Sequence, residues 1–288
     1  MSITPLTRRT ASAALALTAA AALAVQATPA HADSNAVPTY EVKINLTTAA
    51  LDSSHAPLAA VKSAFGISGS ASASARSYAY YDTDAQALGA QGWDVRLRHK
   101  SGKDFEETYK KRFAVTGGDI NAALTAANAA GFDSSDTNYE AEVDWGYAKQ
   151  TLSFSNEKSH SASGYSGTAM PTGATGLGWL NGEIPGKLAD WNTDGWGTDT
   201  LAASRVHGPV TSSVYSGAWE SSDDASIEVV PVVGAGGSGT EYVVELSFKT
   251  DDYDDAAALH ADAISVADAK GWLYKGDILK TQTILDRY

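Results

Sequence analysis

The chain has 288 residues with 21 Lys+Arg against 34 Asp+Glu, a net charge of −13, and no cysteine. That acidity argues against nucleic acid or an anionic membrane as a partner, because both repel such a surface at long range. The absence of cysteine excludes disulfides and lipid attachment through a thiol.

Residues 1–32 read as a cleaved signal peptide. Arg8-Arg9 open it, Ala11–Val25 is an apolar stretch rich in Ala and Leu, and Ala30-His31-Ala32 is an A-x-A cleavage pattern. The stretch is short and small-residue-rich for a membrane span of about 20 apolar residues. Thr-Arg-Arg-Thr-Ala-Ser lacks a bulky apolar residue soon after the arginine pair, which favours the general secretory route over twin-arginine export. The expected product is secreted and soluble. The leader holds two arginines and no acid, so residues 33–288 carry −15 and form a single expected domain with ample length for a core.

Tyr40–Leu46 alternates as a strand, with Glu41, Lys43 and Asn45 on one parity. Thr48–Phe65 has helical spacing interrupted by Pro57, and Ile67–Ala75 is a Gly/Ser/Ala linker. Tyr78–Asp82 reads as a strand and Asp84–Ala90 as a helical turn or two, ending at Gly92. In the next run, Asp94, Arg96, Arg98 and Lys100 alternate with Trp93, Val95, Leu97 and His99. Side chains two apart on a strand share a face, so the two arginines point the same way. Beyond Ser101-Gly102-Lys103, a second run places Glu106, Thr108 and Lys110 on one parity. Two neighbouring strands that aim cations at one surface make a candidate anion site.

Asp119 caps an expected helix through Ala130, closed by Gly131. Asn138–Trp145 returns to strand, with Glu140, Glu142 and Asp144 together on one face. Three like charges there repel one another and either call for cations nearby or protect an edge strand. Ser159–Gly182 reads as a flexible Gly/Ser-rich excursion, and Glu183–Trp191 as a short helix. Ser213–Tyr215, Ser226–Val233 and Glu241–Phe248 are expected strands, the last carrying Glu245 and Ser247 on one parity. Asp252–Lys270 is the strongest helix, with acids in its first turn and Gly271 behind it. Trp272–Tyr288 is expected to add a strand or two. His99, on the apolar parity beside Leu97, reads as a satisfied core histidine. Trp191, Trp196 and Trp219 read as packing anchors.

These residues resemble the CYTH family, the triphosphate tunnel metalloenzymes. The resemblance rests on Glu41-Val42-Lys43, Tyr81-Asp82-Thr83-Asp84 followed by Leu88, Arg96-Leu97-Arg98 and Thr108-Tyr109-Lys110. Glu140-Ala141-Glu142, Arg205 and Glu245 extend it. It implies an α+β fold: an antiparallel eight-stranded tunnel or half-open barrel with helices packed outside and charged residues in the lumen. It further implies a polyphosphate or other triphosphate-type anion as ligand, with Mg²⁺ or Mn²⁺ and possible phosphohydrolase activity. Lys43, Arg96, Arg98, Lys110 and Arg205 would contact phosphate, and Glu41, Glu140, Glu142 and Glu245 would hold the metal. Two positions depart from the family pattern. Thr39 stands where the opening Glu-x-Glu-x-Lys signature begins, and Ser247 replaces the second acid of a late Glu-x-Glu pair. A thinned acid half favours anion binding over catalysis. The alternative is a catalytically inactive ligand-binding or interaction module on the same fold.

Overall fold

The structure, a computed structural model, describes residues 33–67 and 73–288. The expected leader and the centre of the Gly/Ser/Ala linker lie outside the described residues. The strands are β1 (Thr39–Leu46), β2 (Ser74–Asp82), β3 (Trp93–Lys100), β4 (Phe105–Val115) and β5 (Glu140–Trp145), then β6 (Gln150–His160), β7 (Arg205–Trp219), β8 (Ser222–Val233) and β9 (Thr240–Thr250). They close into one barrel in the order β1-β5-β6-β4-β3-β2-β7-β8-β9.

The expected eight antiparallel strands are therefore nine, in a mixed barrel. Every neighbouring pair is antiparallel except β1 with β5, which run parallel with Glu41 opposite Asp144. Strand directions cannot alternate all the way round a ring of odd number, so one contact must be parallel. The additional strand is β6, which its own residues scarcely announce. Most of its polar members, Gln150, Ser153, Ser155, Asn156, Glu157, Lys158 and Ser159, have weak strand preference, which hides the alternation of Leu152 and Phe154 with Ser153 and Ser155.

Alternation on each strand separates the lumen from the outer wall. The outward residues of β1, β8 and β9 include Val42, Ile44, Leu46, Ile227 and Leu246. They pack under α7 (Tyr253–Ala269), which lays Ala256, Leu259, Ala263 and Ala267 on them. Asp252 caps α7 by accepting hydrogen bonds from the Asp254 and Asp255 amides at 2.8 and 3.1 Å. The outward residues of β3 and β4, with their neighbours, form a second cluster around Trp93, Leu97, Phe105 and Tyr109. It is covered by α2 (Ala87–Ala90), α3 (Ile120–Ala129), α4 (Gly173–Gly182), α5 (Gly186–Ala189) and α6 (Trp196–Ala202). Asp119 caps α3 through the Ala122 amide at 2.9 Å. His99 sits in this wall, its Nδ1 and Nε2 at 2.8 and 3.2 Å from the carbonyls of Ala169 and Lys103. Between residues 48 and 65, Pro57 divides a single 3₁₀ turn (Thr48–Ala50) from α1 (Ala59–Ala64).

The Gly/Ser-rich excursion is not wholly irregular. Its second half is α4, capped by Thr172 accepting from the Thr175 amide at 3.2 Å. Glycine is there for close approach: a Cβ on Gly176 would lie 2.1 Å from the Tyr81 hydroxyl. The end of the chain departs from expectation more sharply. Trp272–Tyr288 forms no long strand; it runs irregularly into α8 (Lys280–Arg287).

That helix stops one end of the barrel. Tyr78, Tyr80, Val210, Val230, Val232 and Val243 share the lumen parity and form an apolar cluster with Ile284 and Leu285 of α8. Helices therefore cover the outside of the wall, as expected, and one also fills its interior.

Two outcomes test this architecture. Gly176→Ala should cost about 1–3 kcal/mol in chemical denaturation, because the methyl meets the Tyr81 ring in a packed wall. Lys280→Ala should cost about 3–5 kcal/mol, since it leaves the Glu228 carboxylate without its cation in the lumen.

Candidate functional site

The charged part of the lumen is built from strands of both halves of the chain. β1 contributes Glu41 and Lys43, β5 Glu142 and Asp144, β4 Lys110 and β9 Lys249. Register explains their meeting: Glu41 lies opposite Lys249 and Asp144, and Lys43 opposite Ser247. The Lys43 ammonium pairs with Asp144 and lies 2.8 Å from Glu41. Lys249 is 2.7 Å from Glu142 and 3.6 Å from Glu41. Lys110 reaches Glu142 at 3.6 Å and Asp144 at 3.9 Å. Glu41, Glu142 and Asp144 each offer an oxygen within 4.8 Å of the others.

The second group lies on β3, β4 and β6. Arg98 stands directly opposite Glu106 in the β3–β4 register, with Arg96 opposite Thr108. The two oxygens of Glu106 are divided between the guanidiniums, one on Arg98 and the other 3.0 Å from Arg96. Arg96 also donates to the Thr108 hydroxyl at 2.9 Å and lies 3.6 Å from Glu157.

The third group joins the site to the plug. Lys280 enters from α8 and pairs with Glu228 and, at 3.1 Å, with Glu245. Tyr78 donates to Glu228 at 2.7 Å. The Tyr78 ring has the Arg96 guanidinium 5.8 Å and the Lys280 ammonium 5.1 Å from its centroid, within cation–π range.

Proton affinities follow this pairing. Burial alone would raise Glu41, but Lys43 and Lys249 overrule it and hold the carboxyl at about 2. Glu228 is likewise opposed by burial and held at about 2 by Lys280 and its hydrogen bonds. Asp144 is pushed well below the ordinary carboxylate range by Lys110 and Lys43 against the effect of burial. Burial would lower Lys43, yet Asp144 and Glu41 raise it well above a free lysine.

The nine residues singled out from the sequence are placed unequally. Lys43, Lys110, Glu41 and Glu142 meet in the first group, and Arg96 and Arg98 in the second. Glu245 is nearby on the lumen wall but is engaged by Lys280. Glu140, at the start of β5, is exposed, and Asp144 stands in its place as the third clustered acid. Arg205 is elsewhere: it is half exposed at the plugged rim, with Nε on Asp84 and Nη1 2.9 Å from the Tyr288 carbonyl. Its position at the first residue of β7 puts it beside the chain terminus instead of inside the lumen. At the two departing positions, Thr39 bonds the Ala141 carbonyl at 3.4 Å and Ser247 faces the Ser226 hydroxyl at 3.0 Å.

Lys249, Glu157, Glu228 and Lys280 are lumen charges that sequence reasoning did not select. Lys249 continues the parity of Glu245 and Ser247, so extending that strand by one residue would have found it. Lys280 carries no local signal, because its role depends on where α8 docks.

The three carboxylates suit a hard divalent cation, which takes oxygen ligands and keeps several waters. Three ammonium groups neutralise them, so a cation entering here must displace Lys43, Lys110 and Lys249 from the acids.

No known protein-family model matches the chain, and no curated protein matches it. Among solved structures, a candidate adenylate cyclase from Bacillus halodurans aligns with TM-score 0.42 and 12% identity, over 73% of this chain and 81% of that one. A candidate adenylyl cyclase from Hippeastrum with a dominant triphosphatase activity aligns with TM-score 0.44 and 12% identity, over 86% and 99%. A candidate adenylate cyclase from Vibrio parahaemolyticus aligns with TM-score 0.40 and 10% identity, over 85% and 98%.

Acid should dismantle the lumen in a defined window. The folded values of Glu41 and Glu228, about 2, lie below the ordinary glutamate value. Their stabilisation is therefore complete above about pH 4.5 and is lost as pH falls toward 2. Thermal melts should show the midpoint falling steeply through that window, and the fall should be shallower in Glu228→Gln.

Proposed function

We propose that this is an exported protein whose lumen binds a polyphosphate or triphosphate-type anion together with a divalent cation, Mg²⁺ or Mn²⁺. One observation carries the reading: in one barrel, Lys43, Lys110 and Lys249 pair with a cluster of three carboxylates, and Arg96 and Arg98 stand on the same lumen face around Glu106. Export is supported by the leader pattern of the sequence.

The lumen is already close to internal neutrality, so binding must be an exchange of partners. A divalent cation would neutralise Glu41, Glu142 and Asp144 and supply a bridge to phosphate oxygens. The lysines freed from those acids then become point charges for phosphate, and the arginine forks offer bidentate contacts. Anion and cation each replace what the other displaces, which couples their binding. Phosphohydrolase activity at this site is the finer form of the proposal: the same lysines and arginines would stabilise charge developing on the transferred phosphoryl group. The closed apolar end, filled by α8, keeps water from that side of the lumen.

Calorimetry with inorganic tripolyphosphate tests the reading, alongside phosphate release under Mg²⁺ or Mn²⁺. Adding Mg²⁺ should tighten tripolyphosphate binding at least tenfold, and Arg96→Ala should weaken it by a similar factor. Binding that ignores both changes would remove the lumen-ligand reading and leave the inactive interaction module. Binding without phosphate release would keep the ligand and remove the hydrolase.

A further inference from the structure

Among the lumen charges, Glu106 occupies the position that an anionic ligand needs. It stands on β4 directly opposite Arg98 and diagonal to Arg96, and its two carboxylate oxygens are shared out, one to each guanidinium. Lys100 lies 3.8 Å away on the same face. The arginine forks are not used up by this contact. The Nε of Arg96 and the Nε of Arg98 are both buried, and among the described residues neither has a hydrogen-bond partner. A buried donor left unpaired is unusual and costly, which marks spare capacity for an acceptor. Arg98 and Glu106 also line a cavity of about 470 Å³ at the barrel wall, shared with Lys100, Lys103, Glu157 and Lys158.

We infer that Glu106 is a built-in occupant of the anion seat: its carboxylate holds Arg96 and Arg98 in place, and an incoming phosphoryl group must displace it. This rests on the lumen-binding reading and adds a selectivity filter to it. Displacement imposes the same penalty on every anion. Only a highly charged ligand that reaches several cations at once recovers that penalty, so inorganic phosphate and sulfate are excluded while tripolyphosphate is admitted. Burial works to raise the Glu106 carboxyl, but Arg96 and Arg98 hold it below the ordinary glutamate range, so it stays ionised in the seat at neutral pH.

The test is calorimetric titration at neutral pH of wild type, Glu106→Gln, Glu106→Asp and Glu157→Gln with sodium tripolyphosphate and with sodium sulfate, each with and without Mg²⁺. Glu106→Gln should bind tripolyphosphate at least tenfold more tightly than wild type and should acquire measurable sulfate binding. Glu106→Asp, whose carboxylate is withdrawn by one methylene, should fall between the two and covers the case in which the Gln variant does not fold. Glu157→Gln removes the same charge 3.6 Å from Arg96 but leaves Glu106 in the forks, so it should tighten tripolyphosphate clearly less than Glu106→Gln and should not create sulfate binding. Equal tightening in Glu157→Gln and Glu106→Gln would reduce the effect to net charge and overturn the seat. Wild-type binding that is unchanged or weaker in both Glu106 variants overturns the seat while leaving the lumen reading intact. No binding by wild type or by any variant overturns the lumen reading itself.

Discussion

Charge pairing inside a closed barrel is the constraint on which the rest of this structure depends. A charged group taken out of water must find an opposite charge or lose its ionisation, and the lumen holds cations and carboxylates from most of its strands and from a helix. Lys43, Lys110, Lys249, Lys280, Arg96 and Arg98 each have a carboxylate within about 4 Å, the reach of an ion pair. These pairs are geometric obligations as much as stabilising contacts. Replacing one partner strands the other, whereas moving both at once is nearly neutral.

That property suits a binding site. A lumen that is neutral without ligand can exchange internal partners for a cation and an anion with little net change in charge. On the proposed reading the ligands would arrive as a complementary pair, which would turn an obstacle to binding into a source of selectivity. The outer wall imposes the opposite demand. Leu97, Tyr109, Val143 and Leu246 face outward under helices, so the strands that carry the charges are apolar on their other side. α8 meets both demands together: Ile284 and Leu285 fill the apolar end of the lumen, while Lys280 extends to the carboxylates beyond it.

Much of this could be read in the chain because alternation and capping are local. The parity of Arg96 with Arg98, of Glu106 with Thr108 and Lys110, and of Glu142 with Asp144 survives unchanged in the barrel. Asp119 and Asp252 cap the helices that their positions implied. What escaped were segments whose structure is imposed from a distance. β6 has little intrinsic strand preference and is held by pairing along β4 from Phe105 to Val115. In α4, Gly176 lies close to Tyr81 and Gly173 close to Val206, and the helix's glycines imitate a linker. The final helix is short, and its apolar residues are explained only by the barrel end they close.

From sequence alone came the set of residues that share a face, and hence the existence of a charged sheet surface with an acidic half and a basic half. A strand's period of two determines that much without reference to any other strand. Tertiary structure decided the ring of nine, the exclusion of Arg205, the substitution of Asp144 for Glu140 and the capture of Glu245 by Lys280. The reason is the reach of the pairing: Lys43 and Asp144 are 101 residues apart in sequence, and Tyr78 and Glu228 are 150 apart. No local pattern encodes which carboxylate a cation will meet across such a span. The closure of the barrel, through strand order and register, makes that choice.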